Sequence, residues 1–164
     1  MKTFLIHFAV AVVAVNWVLV QQELLPNTAF NSLWLFLAVF VLLWLSSFFY
    51  KRSYFHKIPK VVGLCFFFLK ELIMANLKIA YDIITPHYFM QPAIIALPLK
   101  ATTDVEISLL ANMLTLTPGS LSVDVSADRK ELYVHLLYAA HQDVETIKQE
   151  LKNGFERRIL EITR

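Results

Sequence analysis

Apolar residues form three long runs in the first half of the chain and short periodic groups in the second. The first run, TFLIHFAVAVVAVNWVLV from Thr3 to Val20, carries no charge, and His7 and Asn16 are its polar interruptions. At ~1.5 Å per residue a helix of this length just crosses a hydrocarbon layer of ~30 Å. A second charge-free run, Ala29 to Tyr50, follows at once. The pair predicts a membrane helical hairpin with spans at about 3–20 and 29–50, turned at Pro26-Asn27. Trp17, Trp34 and Trp44 are its packing or interfacial aromatics. The third run, about 60–84, starts as VVGLCFFFL but then admits Lys70, Glu71, Lys78 and Asp82. At about 100° per residue Glu71, Lys78 and Asp82 share one stripe, with Lys78 and Asp82 spaced as an i,i+4 pair. Cys65, Leu69, Leu72, Asn76, Ile79 and Ile83 lie opposite. Such a helix either spans with its charges against a neighbouring protein or lies in the interface with the stripe to water. The charges in its second half favour an interfacial or steeply tilted amphipathic helix.

Pro86 and Pro92 bracket HYFMQ as a linker, and the periods change beyond it. Ala93 to Leu99 reads as a short apolar strand. Thr103 and Glu106 fit a capping box that opens a helix to about Leu116, with Ile107, Leu110, Leu114 and Ala111 toward its buried side. The helix stops at Thr117-Pro118-Gly119: proline disfavours helical geometry in the residue before it, and glycine takes dihedrals closed to other residues. Leu121, Val123 and Val125 then alternate with Ser122, Asp124 and Ser126, predicting a strand with the apolar set buried. Asp128-Arg129-Lys130 supplies a hairpin turn, and Leu132, Val134 and Leu136 alternate in a further strand. Asp143 is placed to cap a last helix carrying Val144, Ile147, Leu151, Phe155, Ile159 and Ile162. The expected fold is a membrane hairpin plus a third amphipathic helix over 1–85, then a small α+β domain over 86–164. The domain's order is β-α-β-β-α, ferredoxin-like in outline without a clear last strand. A core of this size is marginal alone, so docking on partners is expected.

Composition agrees with a membrane protein: 57% of the 164 residues are hydrophobic and 17% charged, and the mean hydropathy is +0.56. A signal peptide would also place Lys2 before an apolar run, but QQELLPNT has no small-x-small cleavage site. The connection from Gln21 to Thr28 has no base, whereas Lys51, Arg52, Lys57 and Lys60 crowd the exit of the second span. The positive-inside rule therefore puts that exit and the N-terminus in the cytoplasm. Bases exceed acids only over 1–85, beside the membrane part, which argues against a nucleic-acid partner. Cys65 is the single cysteine, so no internal disulfide or cysteine-rich metal cluster forms.

Candidate chemistry is sparse. Ser120 or Ser122 with Asp124 and His135 would be the residue types of a hydrolase, but no G-x-S-x-G elbow is present, and a solvated strand face is the simpler reading. His7, His56, His87, His135 and His141 show no metal-ligand spacing, and the only glycines, Gly63, Gly119 and Gly154, form no phosphate loop. No catalytic residue, metal or cofactor is expected. Lys70 and Glu71 are the acid-base candidates inside an apolar segment, read as interfacial anchors or a neighbour's counter-charge in preference to members of an ion path.

At LLANMLTLTPGSLSVDVS followed by LYVHLL the chain closely resembles the E-type subunits of the Mrp-type (multiple resistance and pH) multisubunit sodium/proton antiporters of bacteria. The resemblance covers essentially the full length, including the apolar hairpin, the basic exit and PAIIALPL. It implies a hetero-oligomeric complex in the cytoplasmic membrane that handles sodium ions and protons. In it larger subunits, resembling the proton-pumping modules of respiratory complex I, carry the ion routes, and the E-type subunit is a small component needed for a competent complex. It also implies a cytoplasmic C-terminal domain. Carried onto this chain, the family's characteristic positions are Asn112, Thr115, Thr117, Pro118, Gly119, Asp124, Tyr133, Val134 and His135. The stop then has two candidate meanings: it ends a helix and aims the next strand, or, with Leu109 to Leu116, it seats the domain on neighbouring subunits. A stand-alone membrane anchor presenting an adaptor domain is the alternative reading.

Because no nucleophile geometry is evident, Ser122→Ala and His135→Ala are expected to leave ion exchange largely intact. A loss above roughly tenfold in flux per assembled complex, equivalent to about 1.4 kcal/mol of transition-state stabilisation, would reopen the catalytic reading.

Overall fold

The computed structural model describes residues 2–21, 28–86, 90–139 and 143–164, and divides into two compact units, Met1–Pro59 and Lys60–Arg164. The predicted turn at Pro26-Asn27 and two of the histidines, His87 and His141, lie outside the described residues.

In the first unit, α1 (Lys2–Asn16) widens into a π-type turn at Trp17–Gln21, and α2 runs Ala29–Tyr50 behind a Thr28 cap. Among the described residues α2 is the one helix long and apolar enough to cross a membrane; Thr3–Leu19 is a shorter apolar helix. The two lie antiparallel, with Phe4 edge-on to Phe40 at 5.7 Å and Phe8 edge-on to Phe36 at 5.4 Å. The buried imidazole of His7 pairs through Nε2 with the Tyr50 hydroxyl, and the Lys51 ammonium donates to Thr3 Oγ1 at 2.8 Å. Helix α3 (Arg52–Ile84) follows α2 after the single residue Lys51 and contains Pro59. Proline has no amide to give the Phe55 carbonyl one turn back, and the Trp44 indole supplies the missing donor at 3.2 Å. Left unpaired in apolar surroundings, that carbonyl would cost about 1–3 kcal/mol.

The second unit holds the rest of α3 and the α+β domain. Its elements are β1 (Ala93–Pro98), α4 (Asp104–Leu116), β2 (Ser120–Val125), β3 (Glu131–Leu136), α5 (Val144–Leu151), a π-type turn at Lys152–Glu156, and α6 (Arg157–Thr163). The sheet order is β1-β3-β2 with β3 antiparallel to both neighbours, so β1 and β2 run the same way and α4 connects them. Ile95, Leu97, Leu132 and Val134 from the sheet meet Leu110 and Leu114 of α4, Leu64 of α3, and Phe155 and Ile159 of the closing helices in one core. The capping box forms: Thr103 Oγ1 accepts the Glu106 amide, and the Glu106 carboxylate accepts the Thr102 and Thr103 amides.

Two local expectations are corrected. Leu121 and Val123 are exposed, whereas Ser122 faces α4, donating Oγ to the Ala111 carbonyl at 3.0 Å and its amide to Thr115 Oγ1 at 3.1 Å. A β-bulge then shifts the register, from Ser122 opposite Val134 to Asp124 opposite Tyr133, which returns Val125 to the core side. The strand forms where the alternation predicts it, and its phase is decided by the contact with α4. Asp143 stands at the N-cap of α5 but makes no side-chain capping bond, and Val144 is exposed.

Two buried glutamates fasten the closing helices. Glu156 Oε1 accepts the amides of Lys100 and, at 2.9 Å, Ala101. Glu106 accepts the Thr163 hydroxyl at 2.7 Å, with the Arg164 guanidinium 3.6 Å away. The Thr163 hydroxyl foremost, then the Thr102 and Thr103 amides and Arg164, hold Glu106 down to about 2 from an ordinary 4.5 against the opposing effect of burial. On acidification the unfolded chain therefore takes up this proton first. The contribution is complete above about pH 4.5 and is lost as pH falls toward 2. Glu106→Gln is expected to lower the melting temperature at neutral pH and to flatten its decline over that window. Thermal melts of both proteins between about pH 6 and about pH 3 check this, and parallel declines would contradict it.

Candidate functional site

The stop after α4 and the charged stripe of α3 meet in the second unit. Thr117 ends α4, its amide bonding the Leu114 carbonyl at 3.1 Å and its hydroxyl the Met113 carbonyl at 2.9 Å. Ser120 Oγ returns to the Leu114 carbonyl at 2.6 Å, so the last turn of α4 is satisfied from the far side of the reversal. Gly119 has φ +89°, the left-handed region expected of it, and its carbonyl accepts the Leu137 amide at 2.8 Å. A Cβ here would stand 3.6 Å from Tyr138 Cε2, an ordinary contact. The requirement for glycine is thus one of dihedral strain and not of space.

Tyr138, just beyond β3, lies under this turn and joins it to α3. The Lys78 ammonium sits 3.9 Å from the centre of the Tyr138 ring, a cation-π contact. Asp82 is 3% exposed, and its Oδ2 has no hydrogen-bond partner among the described residues. Burial, and then the nearby Asp82 carboxylate, push the Tyr138 phenol up to about 12. A cavity of about 590 Å³ lies between these groups, lined by Glu71, Lys78, Pro118, Gly119, Leu136 and Tyr138 among others.

The expectation that the charged stripe of α3 faces water is therefore corrected: the stripe is turned onto the α+β domain. Glu71 lines the cavity, Lys78 lies on Tyr138 rather than forming the i,i+4 pair with Asp82, and Asp82 is buried. Lys70 is exposed, 3.8 Å from Glu71. Farther along the same side, Phe67 meets Phe155 edge-on at 5.0 Å, and Gly154 lets the Phe67 ring approach so that a Cβ there would stand only 3.0 Å from it. The Arg158 guanidinium lies 4.0 Å over that ring, and the Lys60 ammonium donates to the Glu161 carbonyl at 3.1 Å.

Pro118 and Gly119 are brought together with the stripe, and Thr117 bonds back to α4; Thr115 ties α4 to β2, and Asn112 is exposed on α4. The hydrolase constellation is not assembled. Ser122 pairs with Val134 and faces α4, while His135 sits between Ile94 and Leu121 on the opposite sheet face, and Asp124 bonds its neighbouring Val125 amide. No group of three or more metal-ligating side chains occurs among the described residues. Tyr138 and Glu156 escaped the sequence reading; the one local signal was an aromatic directly after a strand.

An apolar helical segment, and a small α+β domain packed on a helix with a charged face, are features of a membrane-associated protein. The family model described as MNHE, Na+/H+ ion antiporter subunit, matches residues 10–162, and the chain belongs to that family. It is 37% identical over 154 residues to the E-type subunit of a Na(+)/H(+) antiporter of Alkalihalophilus pseudofirmus, covering 93% of this chain and 94% of that protein. It is 35% identical over 134 residues to the protein of the same name in Bacillus subtilis, covering 79% and 84%. A chain of the membrane-bound sulfane sulfur reductase, an archaeal respiratory membrane complex, aligns with a TM-score of 0.57 at 23% identity over 99% of both chains, a likeness of fold.

A β-branched residue at φ +89° is strained, so Gly119→Val is expected to destabilise the domain by roughly 1–3 kcal/mol. Pro118→Ala should cost less, about 1 kcal/mol or below, since it mainly loosens the unfolded and turn ensembles. Denaturation of the detergent-solubilised chain measures both. Equal stability of Gly119→Val and the unaltered protein would remove the requirement for glycine.

Proposed function

We propose that this protein is a non-catalytic small subunit of a multisubunit monovalent cation (sodium)/proton antiporter, supporting assembly and function of a complex whose larger subunits carry the ion paths. The observation that carries this reading is family membership over residues 10–162, supported by relatives matched along most of their length. Its partners are the other subunits and the lipid bilayer, and the complex as a whole handles sodium ions and protons. Residues 1–85 form the membrane region of a bacterial cytoplasmic membrane protein, with α1 crossing beside α2. Residues 86–164 form the cytoplasmic domain, a reading supported by the bases Lys51, Arg52, Lys57 and Lys60 after α2. The Thr117-Pro118-Gly119 turn, held against Lys78 and Tyr138, shapes the surface that neighbouring subunits receive.

Purification in mild detergent should recover the chain with partner subunits, and its deletion should abolish most sodium-driven proton flux in membrane vesicles. A single-chain species from cells retaining full antiport would instead support a stand-alone adaptor. In a Cys65→Ser background, Arg164→Cys should resist an impermeant maleimide added outside intact cells. Labelling there would overturn the cytoplasmic placement.

A further inference from the structure

We propose that the outward face of α3 lies along the surface of the lipid bilayer, so that the helix is a float carrying the α+β domain on its charged side. This rests on the membrane location of the protein and not on antiport itself. The domain is fastened along the helix from Lys60, which reaches Glu161, through Phe67 on Phe155, to Lys78 on Tyr138. At ~1.5 Å per residue that is ~27 Å of helix axis, nearly the ~30 Å of a hydrocarbon layer. Were α3 to cross the membrane, this side would drag the exposed charges of Lys100, Glu145, Arg157 and Glu161 to hydrocarbon depth. Lying flat avoids that penalty.

The side away from the domain has the matching chemistry. Phe66 (69% exposed), Leu69 (50%), Ile73 (51%) and Ile84 (79%) recur at helical spacing. The exposed Lys70 beside this face and Arg52 at the start of the helix provide positive charge suited to anionic headgroups, and α3 is joined through Lys51 alone to the membrane-spanning candidate α2. Large side chains with lysine at the margin suit an interfacial helix, whereas membrane helix pairs approach through small residues.

The test uses the complex purified with its partner subunits and reconstituted in vesicles of phosphatidylethanolamine and phosphatidylglycerol. Spin labels are placed singly, in a Cys65→Ser background, at Phe66, Leu69, Ile73 and Ile84, and at Gln149 as a water-side control. Labelled complexes are kept only where subunit content is unchanged. The expected result is preferential collision with oxygen over a water-soluble nickel reagent at all four α3 positions. Their common depth should be about 5–10 Å below the headgroups, with the reverse preference at Gln149. In the unaltered chain a bimane on Cys65, which is exposed on the flank of this face, should be quenched by brominated acyl chains. A depth that changes steadily from Phe66 to Ile84 would mean a crossing helix and overturn the proposal. So would exclusion of both reagents with crosslinking to a neighbouring subunit, which would mean a protein-covered face. Because depth is read independently of flux, an inactive antiporter with the expected depths would fail the functional reading while leaving this one standing.

Discussion

The contact between α3 and the α+β domain governs the second unit, because α3 presents one face that is polar and one that is apolar over the same length. The domain takes the polar face. Lys78 lies on Tyr138, Asp82 is buried, and Leu64 and Phe67 add apolar area beside them. Both acids of the second half of α3, Glu71 and Asp82, are thereby turned toward the domain, and the opposite face is left apolar without interruption by an acid. A domain too small to build a generous core by itself also borrows part of that core from α3.

The reversal at Thr117-Pro118-Gly119 matters because of where it delivers the chain. Thr117, Gly119 and Ser120 satisfy the end of α4 and the start of β2 within a few residues, and the turn is thereby held rigidly beside Tyr138. Helix stop and cavity wall are thus one geometry. Glu106 and Glu156 perform the corresponding task for the closing helices, converting two carboxylates into acceptors for backbone amides and a hydroxyl. Glu106, so supplied with donors, is held well below the usual carboxylate range, and both acids tie segments far apart in sequence.

Family membership gives this arrangement its setting. The relatives in Alkalihalophilus pseudofirmus and Bacillus subtilis are antiporter subunits, and this chain matches most of their length. The cavity at Lys78 and Tyr138 and the apolar side of α3 are two surfaces left open among the described residues of this unit.

By itself the sequence determined whatever depends on neighbours a few residues away: the apolar runs, the Thr103-Glu106 capping box, the helix stop, the left-handed Gly119 and the β-α-β-β-α order. Hydrogen bonds within a turn and the steric limits of proline and glycine act locally, so they are legible without a fold. Only the tertiary structure decided which side of each periodic element meets protein. The alternation in β2 was visible, but Ser122 bonding to α4 and the bulge at Val123 set its phase. The stripe on α3 was visible, but its orientation toward Tyr138 depended on a residue 60 positions beyond Lys78. Periodicity defines two faces and leaves open which one is covered, since that choice is made by long-range partners whose positions no local rule contains.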